Sequence, residues 1–166
     1  MSAVVSDSSP LNYLALLSDF DLLRQIYGTL VIPPEVHREV VERGAAYPVG
    51  KAVTAALGNW ITVADAPDSF QVVSLRREFR LDLGESEAIL VAENLGKASL
   101  LMDERRGVHC ARSRGITVIR TPMIYADAKI LGLIPSVRTK LDDLRLQGFR
   151  LSDRHYDLIL NELGEL

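Results

Sequence analysis

Apolar residues along this chain fall alternately into short continuous runs and into helical spacings. Ala3 to Val5 form one run, closed by Asp7-Ser8-Ser9-Pro10. That predicts a strand feeding a helix, with Ser9 as N-cap and Pro10 in the first turn. Leu14, Leu17 and Phe20 extend this helix, and Leu22, Leu23 and Ile26 suit a second, shorter one. Leu30-Val31-Ile32 reads as a buried strand, after which Pro33-Pro34 opens a helix carrying Val36, Val40 and Val41. A helix near 49–57, a strand from Trp60 to Val63 and a helix from Ser69 to Phe79 follow.

The second half is punctuated by glycines. Gly84 precedes a helix predicted from Glu85 to Leu95 and stopped by Gly96. Ser99 to Met102 form a strand ending at Asp103, a helix spans about 104–114, Gly115 stops it, and Ile116 to Ile119 form the last strand. The remainder is helical, at about 122–131, 136–147 and, after a Ser152 cap, 153–163. Strands alternating with helices predict a largely parallel sheet covered on both faces. No repeat, low-complexity tract or linker interrupts residues 1–166, which read as one domain with a core at about 3–120 and a helical extension from about 122.

Composition narrows the class. The 166 residues are 48% hydrophobic and 25% charged, a globular mixture. No apolar run approaches the roughly 20 residues of a membrane span, and the opening segment lacks a basic region, so neither an anchor nor a signal peptide is expected. Cys110 is the only cysteine, which excludes an internal disulfide and suits a reducing cytoplasm. His37, His109 and His155 lack the spacing of zinc ligands. The net charge of −3 argues against a generic nucleic-acid binder. Yet Arg105, Arg106, Arg112, Arg114 and Arg120 occupy a stretch without acids, either a solvated helix face or a surface for phosphate.

The chemistry rests on acids. In an open parallel sheet, ligands bind beyond the carboxyl ends of the strands. Asp7 and Asp103 each follow a predicted strand, although either residue also suits a turn or a helix cap. Glu39 lies beside the apolar stripe of its helix, where it could equally reach out to water. Glu85 opens a helix, where the helix dipole favours an acid in any case.

Taken together, VVSDSSPL, IPPEVHREVV, GESEAILVAENLG and LLMDERRG resemble a PIN-domain protein, the fold of toxin ribonucleases of the VapC type. In toxin-type members the third acid opens a helix that ends at a glycine, and an aspartate follows the next strand. Here Glu85 stands 11 residues before Gly96 and 18 before Asp103. The resemblance implies a three-layer α/β/α sandwich around a central, mostly parallel sheet. It also implies that Asp7, Glu39, Glu85 and Asp103 gather around Mg²⁺ or Mn²⁺ to hydrolyse single-stranded RNA. Ser9 would support Asp7 or touch phosphate, and Arg105 and Arg106 would steer the RNA backbone. A homodimer and a small antitoxin partner are the expected associations, with Ile124, Ile130, Leu131, Leu133, Ile134 and the helix of Tyr156, Ile159, Leu160 and Leu163 either as candidate surfaces or as padding of the core. A catalytically silent PIN protein that binds RNA or protein is the alternative.

Glu87 rivals Glu85. Two residues apart on a helix, their side chains diverge by about 200° and cannot both face one ion. The apolar directions of Ala88, Ile89, Val91, Ala92 and Leu95 put the buried face nearer Glu85, which is therefore the expected ligand.

Overall fold

A computed structural model describes residues 2–166, which divide into two compact units, one ending at Arg120 and the other running over Thr121–Leu166. In the first unit five short strands form one sheet: β1 (Val4–Ser6), β2 (Leu30–Ile32), β3 (Ile61–Val63), β4 (Ser99–Leu101) and β5 (Val118–Ile119). Their order is β3-β2-β1-β4-β5, and every pairing is parallel, so the sheet is wholly rather than mostly parallel. Helices flank it: α1 (Ser8–Leu16), α2 (Asp21–Tyr27), α3 (Pro34–His37), α4 (Pro48–Ala56), α5 (Ser69–Phe79), α6 (Leu83–Asn94) and α7 (Arg105–Ser113). The chain steps outward from β1 through β2 to β3, then returns to the other side of β1 as β4. The switch point of the sheet therefore lies between β1 and β4, the position at whose carboxyl ends open parallel sheets bind ligands.

Several boundaries differ from the sequence expectation for local reasons. Helix α1 starts at Ser8, with Asp7 and not Ser9 at the N-cap position, and it stops at Leu16, so Leu17 and Phe20 lie beyond it. Ser18 turns the chain there with a φ of 59°. Helix α3 continues as a π-helical turn over Arg38–Glu42, so Glu39 sits on a widened backbone rather than mid-way along a regular helix. Wider turns of this kind recur at functional sites. Helix α6 opens two residues earlier than expected, placing Gly84 inside its first turn. The cause is a capping box: Asp82 accepts from the Glu85 N–H at 2.7 Å, and Glu85 accepts from the Asp82 N–H at 2.9 Å. Gly96, at a φ of 72°, ends the helix as its sequence position implied.

Helix α6 is buried continuously from Gly84 to Ala92, and it packs on β1, β4, α3, α5 and α7. A helix enclosed on all sides belongs to the middle of a core. Its Ile89 and Leu90 join Val5, Leu100 and Met102 there.

The second unit comprises α8 (Thr121–Ile130), α9 (Val137–Leu146) and α10 (Asp153–Glu162). Glu165 closes it. Its carboxylate accepts from Ser136 Oγ at 2.9 Å and from the Val137 and Arg138 N–H groups at 2.9 and 3.0 Å, and Lys129 Nζ lies 3.2 Å away. Desolvation alone would raise its pKa, but these donors hold it down at about 2. A carboxylate on a helix N-terminus with charge-assisted bonds is stabilising, so Glu165→Ala should cost about 1–3 kcal/mol. Because the folded pKa lies below the ordinary 4.5, that contribution is full above about pH 4.5 and fades as pH falls toward about 2. Thermal melts of wild type and variant should therefore converge across this window; a gap unchanged down to about pH 2 would contradict the assignment.

Candidate active site

The parallel register of β1 and β4 pairs Ser6 with Leu101, and the Asp7 N–H donates to the Leu101 carbonyl at 2.9 Å. Asp7 and Asp103 consequently emerge at the same edge of the two central strands. Asp7 is buried, with 4% of its surface exposed. Burial raises its pKa to about 8; the Ser8 N–H opposes this, and the charges of Asp82, Glu85 and Glu39 add to it. Asp103 is half-buried and accepts a hydrogen bond from Ser9 Oγ at 2.9 Å. It does not cap α7, since Glu104 holds that position.

Two neighbouring serines thus serve two acids. Ser8 pulls the Glu39 pKa down while Ser9 donates to Asp103, a division that the 100° turn between successive helix residues makes natural. Ser9 supports Asp103 here rather than Asp7. Glu39 is half-buried, and desolvation raises its pKa against the pull of Ser8, with Asp82 and Glu35 pushing the same way. Glu85 is buried and its pKa is raised to about 7, again by desolvation first, opposed by the Asp82 N–H and reinforced by Asp82, Glu104 and Glu39. Carboxylates about 4 Å apart repel by about 4 kcal/mol at an effective dielectric of about 20, so such groups retain protons or recruit cations.

Burial does not separate Glu85 from Glu87, contrary to the face argument, because α6 is enclosed all round. Their partners do. Glu87 Oε2 accepts from the Glu35 N–H at 2.7 Å, in the first turn of α3, and its Oε1 lies 4.0 Å from Arg38. Glu35 in turn is held by Arg38 Nε at 2.7 Å and by Arg43. Burial pushes the Glu35 pKa up, but hydrogen bonds from Arg43 and Arg38 prevail and lower it. Glu87 belongs to this network, and Glu85 to the group of Asp7, Glu39 and Asp82.

The acid that sequence reading passed over is Asp82. It is exposed, and its charge acts on Asp7, Glu39 and Glu85 alike. Its signal was present in Asp82-Leu83-Gly84-Glu85, the spacing of a capping box. Arg105 and Arg106 are exposed in the first turn of α7, directly after Asp103 and Glu104.

The matched family model is described as a PIN domain (DUF3368) and covers residues 3–165. The chain belongs to the PIN-domain family. PIN domains are typically nucleases and generally bind divalent metals. A search of curated proteins finds no match. Among solved structures this PIN chain is similar to that of PAE2754 from Pyrobaculum aerophilum, with a TM-score of 0.57 and 16% identity over 76% of this chain and 90% of the other. At that identity the likeness concerns the fold.

The donor set fits a divalent metal in kind: every candidate is a carboxylate oxygen, as Mg²⁺ and Mn²⁺ prefer. Among the described residues, however, no three His, Cys, Asp or Glu side chains are already arranged to hold an ion. Because Asp7 and Glu85 have raised pKa values, binding an ion there would release protons. Among the described residues, no helix is long and apolar enough to cross a membrane.

Proposed function

We propose that this PIN domain is a metal-dependent ribonuclease that hydrolyses phosphodiester bonds in single-stranded RNA. The observation that carries the reading is Asp7, a buried carboxylate at the end of the central strand on which the charges of Asp82, Glu85 and Glu39 act. Burying such a group beside like charges is costly unless it keeps its proton or a cation completes the site, and the PIN fold favours the cation. In this reading Asp7, Glu39, Glu85 and Asp103 hold Mg²⁺ or Mn²⁺, and Asp82 adds negative charge at its edge. The bound ion would activate a water molecule and neutralise the phosphate.

The protein's own residues do the positioning. Ser9 orients the Asp103 carboxylate, and Ser8 that of Glu39. The capping box engages Glu85 Oε2. Arg105 and Arg106, exposed beside Asp103, are suited to the RNA backbone by their planar guanidinium groups. On family likeness alone, the same proposal extends to a homodimer held by an antitoxin protein.

The alternative is a silent PIN protein, which binds RNA or protein without cutting. Labelled single-stranded RNA distinguishes the two. The wild type should cleave it with millimolar Mn²⁺ or Mg²⁺ and stop with a chelator, and Asp103→Asn should be inactive while melting normally. Binding without cleavage in both metals would establish the silent reading. Equal cleavage by Asp103→Asn would remove that residue from the site.

A further inference from the structure

Glycine inside a helix is less favourable than alanine, and it needs a reason. Gly84 stands in the first turn of α6, and its backbone does not adopt the left-handed conformation that would demand glycine. The reason lies in what surrounds it. A Cβ built on Gly84 would meet Oε1 of Glu39 at 2.9 Å, with Cδ and Oε2 of the same carboxyl group at 3.4 Å. Its three nearest neighbours all belong to one acid, which arrives from the π-helical turn 45 residues earlier in the chain.

We propose that Gly84 is a positioning residue, whose missing side chain seats the Glu39 carboxylate against the opening turn of α6, beside Asp7, Asp82 and Glu85. The inference rests on the metal-site reading given above. The seat is the bare backbone of Gly84, against which the whole end of the Glu39 carboxyl group lies. The capping box between Asp82 and Glu85 holds that backbone, so an added methyl group would move the carboxylate rather than the helix. The end of a glutamate side chain is free to swing, so Gly84→Ala should fold. What it should lose is the placement of Glu39.

A double-mutant cycle tests this, because shortening residue 39 withdraws the group that the methyl strikes. Isothermal titration with Mn²⁺ should show Gly84→Ala weakening binding by roughly 10–100-fold, the range for groups that orient a ligand. In a Glu39→Asp background the same change should weaken binding much less. Urea unfolding without metal supplies the second arm. Gly84→Ala should be more stabilising in a Glu39→Ala background than in the wild type, since the helix preference for alanine then meets no obstacle. Additive effects in urea would overturn the seat, even if the wild type binds Mn²⁺. Coupled unfolding with unchanged Mn²⁺ affinity would overturn the positioning role. A wild type that binds no Mn²⁺ would overturn the metal reading of the site and the positioning role with it, leaving only a steric contact.

Discussion

Replacing Asp7 by asparagine should abolish metal binding and RNA cleavage and yet raise the melting temperature of the metal-free protein at alkaline pH. The two effects have one origin. Asp7 is buried beside Asp82, Glu85 and Glu39, and its pKa is raised from 3.8 to about 8. A folded-state pKa above the unfolded value means that folding favours the protonated form. The associated stability is present below about pH 4 and is lost as pH rises through about 8. Asparagine is close to a permanently neutral copy of that protonated form. Wild type and Asp7→Asn should therefore melt similarly at about pH 4 and below, and the variant should pull progressively ahead until about pH 8, keeping its lead at about pH 9. Glu85, with its pKa at about 7, contributes in the same direction in both proteins. Millimolar Mn²⁺ should raise the wild-type melting temperature, more strongly at higher pH as competing protons leave. The variant should lose this response by more than the roughly 10–100-fold typical of outer-shell changes. Calorimetry across pH with and without Mn²⁺ measures both effects. An Asp7→Asn protein that melts below wild type at about pH 9 would mean that Asp7 holds a stabilising charge and not a crowded one.

Glu85 and Glu87 should respond in opposite ways although both are buried. Glu85→Gln keeps an oxygen able to accept from the Asp82 N–H, since glutamine also serves in a capping box. It removes one charge from the repelling group, so the metal-free fold should be as stable as wild type or more so, while Mn²⁺ affinity and cleavage fall sharply. Glu87→Ala should do the reverse. It leaves the Glu35 N–H without its 2.7 Å acceptor and deprives Arg38 of a neighbouring charge. A buried donor left unsatisfied costs about 1–3 kcal/mol, and each kcal/mol lowers the melting temperature of a chain this size by about 2–4 °C. Mn²⁺ affinity per folded molecule should scarcely change. Titration and melting of the two variants side by side decide the matter, and loss of Mn²⁺ binding in Glu87→Ala alone would transfer the ligand role to Glu87.

What could be read without coordinates was whatever short stretches of chain determine locally. The strand at Leu30–Ile32 and the helix at Ser69–Phe79 lie where the pattern put them, because a continuous apolar run and a helical period are properties of neighbouring residues. The parallel sheet followed from strand–helix alternation, and the placement of Asp7 and Asp103 at strand ends followed from that. The opening of α6 was also written locally, in the spacing of Asp82 and Glu85, although the break expected at Gly84 concealed it. Folding alone decided the rest. Ser9 meets Asp103 across 94 residues and Glu87 meets Glu35 across 52, contacts that no local periodicity encodes. The enclosure of α6 removed the exposed face on which a choice between Glu85 and Glu87 had rested, so their partners and not their burial distinguish them. Asp82 entered the group through the charge it places beside Asp7, Glu39 and Glu85. Electrostatic repulsion and steric fit act through space, and the distances that govern them exist only once the chain has folded.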